Sequence, residues 1–147
     1  MTPDVNVLVA ASRSDHPHHA VARDWLEGAL GTSGTGATFT LMPMVLASFL
    51  RLVTSPKIFQ FATPVEDAVA FVDALLASPG VQLASLGPEW PKLRHLCLEK
   101  KLGGNEVPDA WLSAAVAQSG EHLVTFDRDF RKLLARNHFT LLAPRYA

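Results

Sequence analysis

Leu123-Val124-Thr125-Phe126-Asp127-Arg128-Asp129-Phe130 (LVTFDRDF) is the stretch on which the fold turns. Leu123 to Phe126 has the make-up of a buried strand, and two aspartates come after it where a short helix is expected over Arg128 to Ala135. In parallel α/β sheets, ligands collect in a crevice beside strand ends and helix starts. Asp127 and Asp129 would stand in that crevice.

Working outward, helical and strand-like segments alternate with short breaks. Pro108 is expected to open a helix with Trp111, Leu112, Ala115 and Val116 on its apolar side and Asp109 in its first turn. Pro88 to Lys101 reads as a helix closed by Gly103-Gly104, and Val81 to Leu86 as a strand. Thr63-Pro64-Val65-Glu66 has the form of a capping box, opening a helix that buries Val69, Val72, Leu75 and Leu76. Ala37 to Leu41 is a short strand, and Pro43 begins a helix with the stripe Val45, Leu46, Phe49, Leu50 and Val53. From about His18 to Leu30 the apolar positions recur with helical spacing until Gly31 to Gly36 stops them. Val5 to Ala10 reads as a buried first strand, with Asp4 at its start, and Phe139 to Leu142 as a last one. The alternation predicts one α/β domain over residues 1–147, with a central, mostly parallel sheet flanked by helices in three layers.

Composition narrows the class. Hydrophobic residues make up 48 % and charged residues 18 %, which excludes a disordered chain. No apolar run approaches a membrane span, and no basic segment leads into an apolar stretch at the amino terminus, so a cytoplasmic protein is expected. Cys97 is the lone cysteine, excluding an intrachain disulfide and a thiolate zinc site. The net charge of −1 is unhelpful to nucleic-acid binding but does not refute it, since an enzyme that gathers carboxylates around a cation can still meet phosphate through the metal.

Asp4, Asp109 and Asp127 come from separated parts of the chain and would meet at one sheet edge. Each alone has an ordinary role: Asp109 complements a helix dipole, and Asp127 is a good helix cap. Asp4 is harder to dismiss, because a carboxylate beside a buried apolar segment is costly unless paired or metal-bound. Together they favour a hard cation, Mg²⁺ or Mn²⁺.

Three motifs then carry a resemblance. Asp4-Val5-Asn6-Val7-Leu8-Val9 (DVNVLV), Gly104-Asn105-Glu106-Val107-Pro108-Asp109-Ala110 (GNEVPDA) and Thr125-Phe126-Asp127-Arg128-Asp129-Phe130 (TFDRDF) stand in the order seen in PIN domains. The chain resembles the VapC-type ribonuclease toxins of mycobacterial toxin–antitoxin systems over essentially its whole length. The resemblance implies a metal-dependent endoribonuclease whose Asp4, Asp109 and Asp127 bind Mg²⁺ or Mn²⁺, with Asp129 as a further ligand or outer acid. Asn6 would orient Asp4, while Asn105 and Thr125 would position water or phosphate at the rim. Products would carry a 5′-phosphate and a 3′-hydroxyl. A VapB-like antitoxin, an RNA substrate and a second copy of the chain are the partners implied. One position departs from the pattern: Ser48, in Leu46-Ala47-Ser48-Phe49-Leu50-Arg51, stands where these toxins usually place a glutamate.

Other features have plainer explanations. His16, His18 and His19 lead into a helix rather than forming a zinc site. Trp25, Trp90 and Trp111 are core or interface residues. Arg51, Lys57, Arg128 and Arg131 are candidate phosphate contacts whose default is a solvated charge. A degenerate PIN domain that binds antitoxin or RNA without cleaving is the alternative that Ser48 favours. A haloacid-dehalogenase-type phosphatase would want an aspartate where Asn6 stands.

Overall fold

The computed structural model describes residues 1–143. In chain order the elements are β1 (Thr2–Pro3), α1 (Val5–Ser12), α2 (His19–Ser33), β2 (Phe39–Leu41), α3 (Pro43–Val53), α4 (Val65–Leu76), β3 (Val81–Leu83), α5 (Trp90–Lys100), α6 (Glu106–Ser119), β4 (Leu123–Thr125) and β5 (Phe139–Leu141). Two 3₁₀ turns, Arg128–Lys132 and Arg136–His138, lie between β4 and β5.

All the strand pairings are parallel: β1 with β4, β4 with β5, and β2 with β3. The Thr40 amide donates to the Met1 carbonyl at 2.9 Å, setting β2 beside β1. Parallel neighbours need crossover connections, and the helices supply them. The α/β architecture expected from the alternation is therefore present, with parallel strands flanked by helices.

The expected first strand over Val5 to Ala10 is instead helix α1, and β1 is the two residues before Asp4. A continuous apolar run fits a buried strand or a helix buried all round, and periodicity cannot separate them. Here Val7, Leu8, Val9, Ala10 and Ala11 are all buried, so the helix has no polar face to betray it. Asp4 decides the matter locally. Its backbone is extended, its carboxylate accepts from the Val5 amide at 2.7 Å, and its carbonyl accepts from Val7 and Leu8.

Other boundaries shift for equally local reasons. The Thr63–Glu66 capping box does not form: α4 starts at Val65 without a side-chain cap, and the Thr63 hydroxyl accepts from Arg13 instead. On α4 the buried face is Ala68, Val72 and Leu75, while Val69 is exposed. Pro108 is the third residue of α6 rather than its first. The helix expected over Arg128 to Ala135 shortens to the 3₁₀ turn Arg128–Lys132. Lys101 closes α5 in the left-handed conformation, ahead of the glycines expected to do so.

The core is shared by α1, α2, α3, α4, α6 and the strands, with Leu8, Phe39, Leu41, Phe49, Phe130 and Leu123 among its largest buried side chains. Each such side chain contributes on the order of 1.5–3 kcal/mol by leaving water. Arg13 is buried at the end of α1, where its guanidinium binds Asp15, Thr63 and the Phe61 carbonyl and lies 3.9 Å from the Phe59 ring centre. Among the described residues no helix is long and apolar enough to cross a membrane.

Candidate functional site

β1 and β4 lie side by side and point the same way, so the chain leaves both strands at the same end of the sheet. Asp4 comes directly after β1, and Asp127 two residues after β4. The ladder continues one step past β1, with the Asp4 amide donating to the Val124 carbonyl at 2.9 Å. Asp109 is carried there by the first turn of α6. Asp127 caps the 3₁₀ turn by accepting from the Asp129 amide at 2.8 Å, which brings Asp129 to the outer margin of the group.

Thr125 is fully buried at the end of β4, not at the rim where the resemblance puts it. Its hydroxyl donates to Asp4 Oδ2 at 2.7 Å and accepts from the Asn6 side-chain amide at 3.3 Å and the Asp127 amide at 3.0 Å. Asn6 thus reaches Asp4 only through Thr125, and its own Oδ1 accepts from the Phe126 amide at 3.2 Å. The expected direct bond from Asn6 to Asp4 is replaced by this relay, because residues Asp4 and Asn6 lie on the first turn of a helix rather than along a strand. With Val5 donating to Oδ1, both Asp4 oxygens are held by protein donors.

The electrostatics show how close the acids are. Burial drives the Asp4 carboxyl up from 3.8 to about 6, against the pull of the Thr125 and Val5 hydrogen bonds; the charges of Asp109 and Asp127 add to the rise. Asp109 is raised too, first by burial and then by the charges of Asp127 and Asp129. Mutual repulsion of this kind is what a shared cation relieves. Among the described residues, no three acidic, histidine or cysteine side chains form a ready-made cage for one ion. The donors at this end of the sheet are nonetheless all oxygens, the chemistry that suits a hard divalent cation.

Two cavities meet at Asp109. One, of about 500 Å³, is lined by Asp4, Asp109 and Ser48 together with Pro43, Met44 and Trp111. Ser48 lines the same cavity as Asp4 and Asp109, from the half-exposed flank of α3. The second, of about 440 Å³, is lined by Asn105, Asp109 and Asp129 together with Lys100 and Lys132. Asn105 sits at its rim. Arg51 is exposed and borders neither cavity, as is also true of Lys57, Arg128 and Arg131.

The two lysines escape a reading of the sequence because nothing in a lone Lys in the last turn of a helix distinguishes it from a solvated charge. Glu89 escapes it for a similar reason. It is buried, accepting from Trp111 Nε1 at 2.9 Å and the Gly87 amide at 2.7 Å, and so fixes the indole that forms part of the apolar wall. The histidines behave as a helix lead-in: His16 Nδ1 accepts from the His18 amide, His19 Nδ1 contacts the Ala10 carbonyl, and His18 stacks on Phe126.

The PIN domain model matches residues 1–134, and the chain belongs to the PIN-domain family. Its similarity is strong to curated ribonucleases of Mycobacterium tuberculosis. It is 41 % identical to Ribonuclease VapC25 and 39 % identical to Ribonuclease VapC31, in each case over 92 % of this chain and 94 % of the relative. Ribonuclease VapC43 is 35 % identical over 88 % of this chain and 86 % of that protein. A chain from the crystal structure of VapBC2 from Rickettsia felis, bound to a DNA fragment from their promoter, shares the fold. Its TM-score is 0.66 at 17 % identity, covering 97 % of this chain and 98 % of that one.

Proposed function

We propose that this chain, a single PIN domain, is the toxin of a toxin–antitoxin pair and cleaves RNA with a divalent cation, Mg²⁺ or Mn²⁺, held by Asp4, Asp109 and Asp127. The observation that carries this reading is the convergence of the three carboxylates at the shared end of β1 and β4 and the start of α6, close enough for their charges to act on one another. Asp129 serves as a further ligand or as an outer acid. The relatives' ribonuclease activity supports the choice of substrate.

The bound cation would supply a more acidic water and shield the phosphate's charge. Thr125 holds Asp4 in one orientation, and Asn6 holds Thr125. Asn105 stands at the rim, where it can meet a phosphate oxygen. Water adds to phosphorus as the bond to the 3′-oxygen breaks; the water loses a proton and the leaving oxygen gains one. The products carry a 5′-phosphate and a 3′-hydroxyl.

Replacing Asp4, Asp109 or Asp127 by asparagine should abolish divalent-dependent RNA cleavage and growth arrest while the fold survives. Full cleavage by Asp4→Asn in a chelating buffer would overturn the reading. Ser48 favours a second one, a module that binds antitoxin or RNA with little cleavage. Failure of the wild-type protein to cleave total RNA at saturating Mn²⁺ would select it.

The proposed partners are a VapB-like antitoxin and a second copy of the chain. Ile58, Phe61, Val65 and Val69 remain exposed around the start of α4, apolar surface that the core does not use. Sedimentation equilibrium should show a dimer, and a monodisperse monomer at high micromolar concentration would count against it.

A further inference from the structure

RNA brings one negative charge per nucleotide to a cleft already lined by acids. A cation at the carboxylates deals with the phosphate being cut, not with its neighbours. Those neighbours need cations of the protein's own within reach of the site. The arginines and the lysine that the sequence singles out do not border the two cavities meeting at Asp109.

Lys100 and Lys132 do. Lys100 comes from the last turn of α5 and Lys132 from the end of the 3₁₀ turn after Asp127, so two separate elements bring positive charge to one cavity. Neither is ion-paired among the described residues. Both are exposed, with flexible stems that can follow a phosphate. The cavity also holds the Asn105 amide, and it contains acids of its own, Glu106 and Asp129 beside Asp109. The other cavity that Asp109 lines is mostly apolar, with Pro43, Met44 and Trp111 among its residues beside Asp4. Asp109 is the boundary between a charged side and an apolar one.

Resting on the ribonuclease reading, we propose that the cavity of Lys100, Asn105 and Lys132 is a subsite for the phosphate next to the one being cleaved. The strand crosses at Asp109, its backbone toward the lysines and a neighbouring base toward Met44 and Trp111.

The test uses fluorescence anisotropy with a fluorescein-labelled, single-stranded RNA of mixed sequence, in Mg²⁺ and an Asp127→Asn background that leaves the RNA intact. Lys100→Ala/Lys132→Ala should reduce the slope of log Kd against log salt by about 1.4, two single-strand phosphate contacts, and weaken binding about tenfold at about 50 mM salt. Lys100→Arg/Lys132→Arg should restore both. Lys92→Ala/Arg136→Ala removes the same charge from two other cavities and should change Kd by less than about twofold. An unchanged slope in the lysine variant, or equal losses in both alanine pairs, overturns the subsite. If the Asp127→Asn parent binds no RNA and the wild type cuts none, the ribonuclease reading fails instead, and the subsite with it.

Discussion

Asp4 and Asp127 each stand just past the end of a parallel strand, and each caps the helical turn after it. Their surroundings differ sharply. Asp4 is buried, with one oxygen on the Val5 amide and the other on the Thr125 hydroxyl. Asp127 is only half-buried, and one of its oxygens takes the Asp129 amide. Burial makes the charge on Asp4 expensive, whereas water shares that of Asp127. The same residue type thus becomes a fixed, costly anchor on one side of the cleft and an adaptable arm on the other. Spare lone pairs on both remain for a cation.

The largest effect should come from attacking the anchor. Asp4→Asn should lower cleavage by more than about 100-fold, beyond what loss of a supporting hydrogen bond usually costs. The same variant should alter stability in the opposite sense. In the metal-free protein, a folded Asp4 titrating near 6 takes up a proton that the unfolded chain, at 3.8, does not. Stability should therefore rise as pH falls from about 6 towards 4, and fall again as pH rises through that window, by roughly 3 kcal/mol from Asp4 alone. Asp109 adds in the same direction. Chemical denaturation in chelator at several pH values measures this. A pH slope in Asp4→Asn as steep as in the wild type would show that the buried charge lies elsewhere.

Next in size is the relay that holds the anchor. Thr125→Val keeps the shape but deletes the hydroxyl, leaving Asp4 Oδ2 and the Asp127 amide without their shared partner. Metal affinity or activity should drop about 10–100-fold, and stability by about 1–3 kcal/mol. Loss of a hydrogen bond that favours the charged carboxylate should also push Asp4 higher. The acidic limb of the rate profile should then move to higher pH, and an unmoved limb would mean that Thr125 does not govern Asp4.

The smallest change concerns the α3 flank of the cavity. Ser48 borders the cavity that holds Asp4 and Asp109, so Ser48→Glu adds an anionic oxygen there. Mn²⁺ binding by calorimetry should tighten about fivefold, the roughly 1 kcal/mol that a unit charge about 4 Å away contributes in a water-like dielectric. The metal-free protein should lose stability from the added repulsion. Unchanged affinity would mean that the α3 flank is too far from the ion to contribute.

Much of this arrangement is legible in the residues, and the failures have a common cause. The parallel α/β layout and the helices α2 to α6 emerge from periodicity, with Pro43 marking where one of them begins. The meeting of three carboxylates at one sheet edge is legible because strand ends, unlike strand interiors, leave polar punctuation. Val5 to Ala10 misleads because a helix buried on every side loses its amphipathic signature. That error carries Asn6 to the wrong partner, since side chains two apart share a face along a strand but not on a helix. Thr125 stands out in its motif, but only the pairing of β1 with β4 shows that its hydroxyl is interior. Lys100 and Lys132 are invisible because their meaning comes from which cavity they border. Val69 and the unused capping box show the same limit, local preference yielding to the packing of α4 and to the demand of Arg13.

The pairing of β1 with β4 has a further consequence, for the time at which activity can arise. Asp4 and Thr125 are separated by 121 positions in the chain, yet they are joined directly by a hydrogen bond. No segment that stops short of β4 can assemble this site, because the strand that completes it is made 121 positions after Asp4. Closing so long a loop is also entropically slow, a step that waits for the intervening helices to shorten the search. A nascent chain therefore cannot complete the site until residues past Asp127 are free to fold, which leaves an interval in which a partner can meet the chain before its carboxylates are assembled.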